Sequence, residues 1–277
     1  MQLRYVGKSL ALVGLVAAGA AGVTWNRAAG DSTPGAALAA KVGENWSQWC
    51  GSPQRNNAPQ GENIPTEWSV GEFDFRTGQW DNAEAKNIAW VAPLGSRSYG
   101  SAVIHDGKVF MGSNNTAGHL ERFPPAVDLG ALLCFDSKDG KFLWQHSSAK
   151  LPSGRVHDWP HEGICAVPYC EGDRLWFVTN RCEVRCLDTQ GVLDNENDGP
   201  YQGEVADVQA SVQPAGKAAK PAPAAGGAPA SYDMKQEADV IWTVDMMKEL
   251  GVSPHNMSSC SITAAGDVIF VCTSNGI

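Results

Sequence analysis

The sequence predicts an all-β fold built from repeated four-stranded antiparallel units. Two observations carry this: a strand–turn–strand pattern that occurs three times, and a tryptophan that closes each unit. The run Ser101-Ala-Val-Ile-His-Asp-Gly107-Lys-Val-Phe-Met-Gly-Ser-Asn114 reads as strand, turn, strand. Cys165-Ala-Val-Pro-Tyr-Cys-Glu-Gly172-Asp-Arg-Leu-Trp-Phe-Val-Thr-Asn180 repeats it with small length changes, and Cys260-Ser-Ile-Thr-Ala-Ala-Gly266-Asp-Val-Ile-Phe-Val-Cys-Thr-Ser-Asn275 is a third copy. Trp90, Trp144 and Trp242 each follow a short aliphatic lead, in Asn87-Ile-Ala-Trp90, Lys141-Phe-Leu-Trp144 and Asp239-Val-Ile-Trp242. A unit is therefore Trp strand, loop, apolar strand, Gly turn, apolar strand, then an Asp–Gly hairpin into the next Trp strand. Four antiparallel strands per repeat is the make-up of a β-propeller blade.

In chain order, Arg4 and Lys8 precede an uncharged stretch from Ser9 to Val23 rich in Leu, Val, Ala and Gly. That is the charged-then-apolar pattern of a secretory signal, with Ala18-Gly19-Ala20 offering small residues for cleavage. Residues 1–30 are expected to be a signal peptide or an N-terminal membrane anchor, 31–44 a linker, and 45–277 a partial propeller. In the best-defined hairpin, Leu132, Leu133 and Phe135 form one strand, and Asp136 can fold its carboxylate onto following backbone N–H groups. Asp139-Gly140 supplies the turn, and Phe142, Leu143 and Trp144 begin the next strand. Val205 to about Ala230 is dominated by Ala, Pro and Gly and cannot offset its ordering entropy, so 205–236 is expected to be a flexible insertion. A second insertion between Asn114 and Gly130 contains Pro124-Pro125. Met246-Met-Lys-Glu-Leu250 before Gly251 reads as one helical turn.

The Cys134-to-Trp144 stretch resembles the blade motif A-x-D-x-x-T-G-x-x-x-W of quinoprotein-type propellers, the family that includes the pyrroloquinoline quinone (PQQ) dehydrogenases. Asp136, Gly140 and Trp144 fall on its fixed positions, while Cys134 and Asp139 stand where Ala and Thr are usual. Trp46-Ser-Gln-Trp49-Cys-Gly-Ser-Pro53 and Ile64-Pro-Thr-Glu-Trp68 resemble the lead-in of exported PQQ-binding-like propellers. The resemblance implies that each blade tryptophan docks on a neighbouring blade, its ring flat and its N–H bonded to a backbone carbonyl. A buried indole needs both. About three blades are present, whereas propellers close with about four to eight. The chain is therefore expected to be the front part of a longer protein, or to be completed by blades of another chain.

Candidate sites are few. Asp194, Glu196 and Asp198, followed by Gly199, match the start of an oxygen-rich calcium loop. The twelfth position is Val205 rather than a bidentate Glu, which excludes a complete EF-hand. His157 and His161 are four apart, yet Pro160 between them removes the helical geometry that zinc pairing would use. His157, Trp159 and His161 are instead expected on a ligand-facing loop, as are Arg97 and Tyr99, which the resemblance implies border a central channel. Eight cysteines in an exported chain permit disulfides, although Cys134, Cys186 and Cys272 sit in apolar strand patterns where a thiol packs as a small hydrophobe. Cys165 with Cys170, or Cys182 with Cys186, would pair only if the chain turns between them. No Cys-x-x-Cys-His is present for covalent haem. The adjacent cysteine pair that the resemblance implies for a quinone site is also missing.

A net charge of -9 and a sequence pI near 5.1 argue against a nucleic-acid partner. The expectation is an exported, periplasmic or cell-envelope propeller that acts without catalysis as a scaffold or protein-binding module, resembling outer-membrane assembly propellers. Its partner would be another protein or the remaining blades, with membrane association through the N-terminus. The alternative is part of a PQQ- and calcium-dependent dehydrogenase oxidising alcohols or sugars. No cofactor ligand is assignable residue by residue, and fold alone does not decide activity.

Overall fold

The computed structural model describes residues 9–10, 45–59, 65–203 and 234–273. Among these the chain is all-β apart from four 3-10 turns and the short helix α1 (Met246–Leu250). Two four-stranded antiparallel meanders dominate. The first runs β4 (Val103–His105), β5 (Lys108–Asn114), β6 (Leu129–Asp136) and β7 (Phe142–Ala149). The second runs β8 (Tyr169–Glu171), β9 (Arg174–Val178), β10 (Glu183–Asp188) and β11 (Val240–Asp245). Smaller pieces flank them: the pair β2 (Glu72–Phe73) and β3 (Trp80–Asp81), and the pair β12 (Thr263–Ala265) and β13 (Val268–Phe270). The two-residue β1 (Ser9–Leu10) runs parallel to β13. The rest of the expected leader, the 31–44 linker and most of the 205–236 insertion lie outside the described residues; the insertion's last three residues form a 3-10 turn.

The turns follow from local chemistry. Gly107, Gly140, Gly172 and Gly266 all have positive φ at the strand–turn–strand junctions. Asp136 accepts from Lys138 N at 2.8 Å through its carboxylate, as its position before the turn predicts. At α1, the Asp245 side chain accepts from Lys248 N at 3.0 Å, and Gly251 ends the helix at φ 67°.

The two meanders repeat down to their register. Cys134 pairs with Trp144 and Cys186 with Trp242, and each ladder slips just beyond that pair, between Cys134 and Phe135 and between Cys186 and Leu187. Strand alternation gives the second meander two apolar faces. Leu175, Phe177 and Leu187 pack toward Phe110, Leu132, Cys134 and Trp144 of the first. Trp176, Val178, Val184 and Cys186 pack the opposite way, against Met246, Ile262 and Ile269. The chain thus stacks sheet on sheet in sequence order. The outer strand β7 is not a bare edge, because Ala238 N donates to Gln145 O at 3.2 Å and Gln145 pairs in parallel with Glu237.

Tryptophans join consecutive sheets. Trp144, fully buried, donates its indole N–H to Thr189 O at 3.3 Å, and a Cβ built on Gly191 would stand 2.7 Å from its ring. Trp90 does the same one sheet earlier: its N–H reaches Ser137 O at 2.9 Å, and a Cβ on Gly140 would stand 2.7 Å from Trp90 Cδ2. In both cases the acceptor is the residue after the hairpin Asp and the ring lies over the hairpin Gly. Only glycine leaves that space.

The third copy of the repeat forms strand, turn, strand as expected, with β12 and β13 joined through Gly266. Two expectations need correction. Trp90 lies outside any strand, in an irregular segment. Cys272 is exposed rather than buried in a strand, because β13 ends at Phe270, whereas Cys134 and Cys186 are buried as expected.

Candidate functional site

The long strands of both meanders end, or begin, at one pole: β5 at Asn114, β6 at Leu129, β7 at Ala149, β9 at Val178, β10 at Glu183 and β11 at Asp245. The loops gathered there carry two buried carboxylates, Asp158 and Glu162. Asp158 is 1% exposed. Its carboxylate pairs with Lys150 and accepts from Leu151 N at 2.9 Å and Asn180 Nδ2 at 2.8 Å. Burial pushes this carboxyl above its usual range, against the pull of Lys150. Asn180 also donates to Ala149 O, so one amide ties the ends of β7 and β9 to the 150–162 loop.

A second cluster sits beside the first. Arg97 pairs with Glu162, which is 4% exposed, and its partly exposed guanidinium faces solvent. Hydrogen bonding to the Glu162 carboxylate pushes the exposed Tyr99 phenol above its ordinary value. Glu162 Oε2 is buried with no hydrogen-bond partner among the described residues. The 157–165 loop is clamped from below: Asn114 Nδ2 donates to His161 O at 2.5 Å, His161 N to the Asp128 carboxylate at 3.0 Å, and Ile164 N to Ser113 O at 3.0 Å. These contacts hold His161 at φ 64°. Ser96 and Thr116 complete the Asn114 amide's partners.

The residues named from sequence therefore separate. Arg97 and Tyr99 come together at Glu162, while the His161 ring faces the Asp128 carboxylate at 3.8 Å. His157 faces Ser153 Oγ at 3.0 Å instead, and Trp159 sits under the Arg155 guanidinium, its backbone N–H held by Asn256 O at 2.7 Å. Asp194, Glu196 and Asp198 do not converge. Asp194 closes a turn on Glu196 N at 3.0 Å, while Asp198 pairs with Arg174 at 3.1 Å. Among the described residues no group of three or more His, Cys, Asp or Glu is arranged to hold a metal. Nor is any of the eight cysteines in a disulfide. Compared with protein-family models and with curated proteins, the sequence matches none.

Sequence reasoning missed Lys150 and Asp128, and gave no role to Asp158 and Glu162 in the same run as His157 and His161. A signal was present for the amides, because Asn114 and Asn180 close two copies of the same repeat and both hold loop carbonyls at this pole. Chemically, the site offers Arg97 and Tyr99 as polar groups on the buried Glu162 carboxylate, with His161 on Asp128. The nearest thiol, Cys165, is pushed up to about 11 by burial and by Glu162, so it stays protonated and weakly nucleophilic at neutral pH. Such an arrangement can grip a polar ligand. Among the described residues no helix is long and apolar enough to cross a membrane.

Proposed function

We propose that this chain is an exported, non-catalytic β-propeller of the PQQ-binding-like type, in the cell envelope, whose strand-end loops recognise a protein partner. The observation that carries the reading is the Arg97–Glu162–Tyr99 cluster. It presents an exposed cation and phenol on loops fixed by buried hydrogen bonds, which is how a binding surface is made rigid before contact. The propeller reading draws on the sequential meanders and on the indole seats at Gly140 and Gly191.

A photo-crosslinking residue placed at Tyr99, and at Lys138 in the opposite turns as control, tests this in intact cells. The expected result is one discrete adduct from Tyr99, in the envelope fraction, with none from Lys138. Equal labelling from both positions would remove the recognition role. Saturable, calcium-dependent uptake of PQQ by the purified chain would replace this reading with the dehydrogenase one.

A further inference from the structure

The hairpin of β12 and β13 brings two thiols together beyond its last ladder pair. Thr263 pairs with Phe270, and from there the chain runs outward to Cys260 on one side and Cys272 on the other. Cys272 N donates to Cys260 Sγ at 3.0 Å, and the two thiols stand within hydrogen-bonding reach of each other. Both flanking segments are held from outside the hairpin. Ser261 Oγ accepts from Val167 N at 3.3 Å, and Thr273 O accepts from the Cys182 thiol at 3.5 Å. The approach of the sulfurs is thus fixed against the second meander and the segment that leads into it.

Their surroundings give each sulfur a different part. Cys272 is exposed, so an external reagent meets it first. Cys260 is half-buried and packs against the cluster of Ile262 and Ile269. Burial pushes its thiol up to about 11, while the Cys272 amide and the Arg55 charge pull the other way. An amide aimed at sulfur favours the thiolate, the form that attacks a disulfide. Apart from Cys50, every other thiol is buried.

We propose that Cys260 and Cys272 are a reversible redox site, which an external disulfide oxidises to a covalent staple across the open end of the hairpin. The Cys272 thiolate attacks the external disulfide, forming a mixed disulfide and releasing one thiol. The Cys260 thiolate then attacks the Cys272 sulfur and expels the second. The two protein thiols give up two protons and two electrons, which convert the external disulfide to two thiols. The new bond closes a short loop around Gly266 and restrains the third copy of the repeat where it packs on the second meander. The inference rests on the placement of two sulfurs and is independent of the recognition role proposed above.

The purified full chain, reduced and then treated with glutathione disulfide, tests it. Non-reducing peptide mapping should find Cys260 linked to Cys272 and the intact chain lighter by two hydrogens, and dithiothreitol should restore both thiols. Cys260→Ser should trap glutathione on Cys272, whereas Cys272→Ser should take up glutathione at the hairpin at least about tenfold more slowly. In the oxidised wild type the amides of β12 and β13 should exchange at least about tenfold more slowly than in the reduced chain, with no such change in either variant. Mapping and exchange on the wild type decide the matter even where a variant does not fold. Glutathione that stays on Cys272 of the wild type, a bond from Cys272 to Cys50, or a Cys260–Cys272 bond that leaves hairpin exchange unchanged would overturn the proposal.

Discussion

The turn end and the loop end of the stacked sheets are held by different forces. At the turn end, Trp144 and Trp90 lie over Gly191 and Gly140, and one N–H···O bond each fixes the rings. Cohesion between the sheets there is mainly apolar contact, the Arg174–Asp188 ion pair lying within the second sheet. At the loop end, Lys150 pairs with Asp158 across one loop and Arg97 with Glu162 across 65 residues, with side chains as little as 1% exposed. Cohesion there depends on charge, and its cost of desolvation makes each partner dependent on the other. The difference separates what keeps the sheets together from what shapes the surface a partner would meet.

Substitutions can break this contrast, beginning with the largest expected effect. Trp144→Ala removes the fully buried ring and should cost about 3–5 kcal/mol in chemical denaturation; a loss under about 1 kcal/mol would dismiss the docking role. Lys150→Met strands the Asp158 carboxylate and should cost about 3 kcal/mol at neutral pH, unlike most surface lysines. The penalty should shrink in acid, where Asp158 is neutral, and an unchanged penalty there would mean the pair contributes by packing alone. His146, 5% exposed between the meanders, titrates well below 6.5 because of burial and then Arg185. The unfolded chain protonates this histidine first, so its contribution is present above pH 6.5 and is lost as pH falls, by up to about 1.4 kcal/mol per pH unit. His146→Gln should flatten that slope; an identical slope would place the titration elsewhere. Smallest, Arg97→Ala should cost about 1–2 kcal/mol of stability, because the guanidinium is half-exposed but its loss strands the buried Glu162 carboxylate. It should nevertheless weaken any partner crosslink from Tyr99.

The same contrast decides what could be read before any coordinates. Asp136 and Gly140 act on neighbours within a few residues, so the hairpins and the four-strand repeat were legible. That Trp144 docks on a neighbouring sheet was implied by the family resemblance, while its partners Thr189 and Gly191 came only with the structure. Arg97 and Glu162 are 65 residues apart, and His161 and Asp128 are 33 apart. No local pattern marks such pairs, so Arg97, Tyr99 and His161 were named on separate loops without the carboxylates they meet. The calcium-like run at Asp194 shows the converse. Its spacing suggested convergent oxygens, yet Arg174 draws Asp198 aside.

Because each indole lands only on the hairpin of the following sheet, mechanical and thermal coupling in this chain passes between nearest neighbours. A sheet that loses its indole partner does not unlatch one two positions away. Opening should therefore travel inward from the flanks as a zipper, leaving the first meander, latched on both sides by Trp90 and Trp144, as the slowest segment to exchange its amide protons.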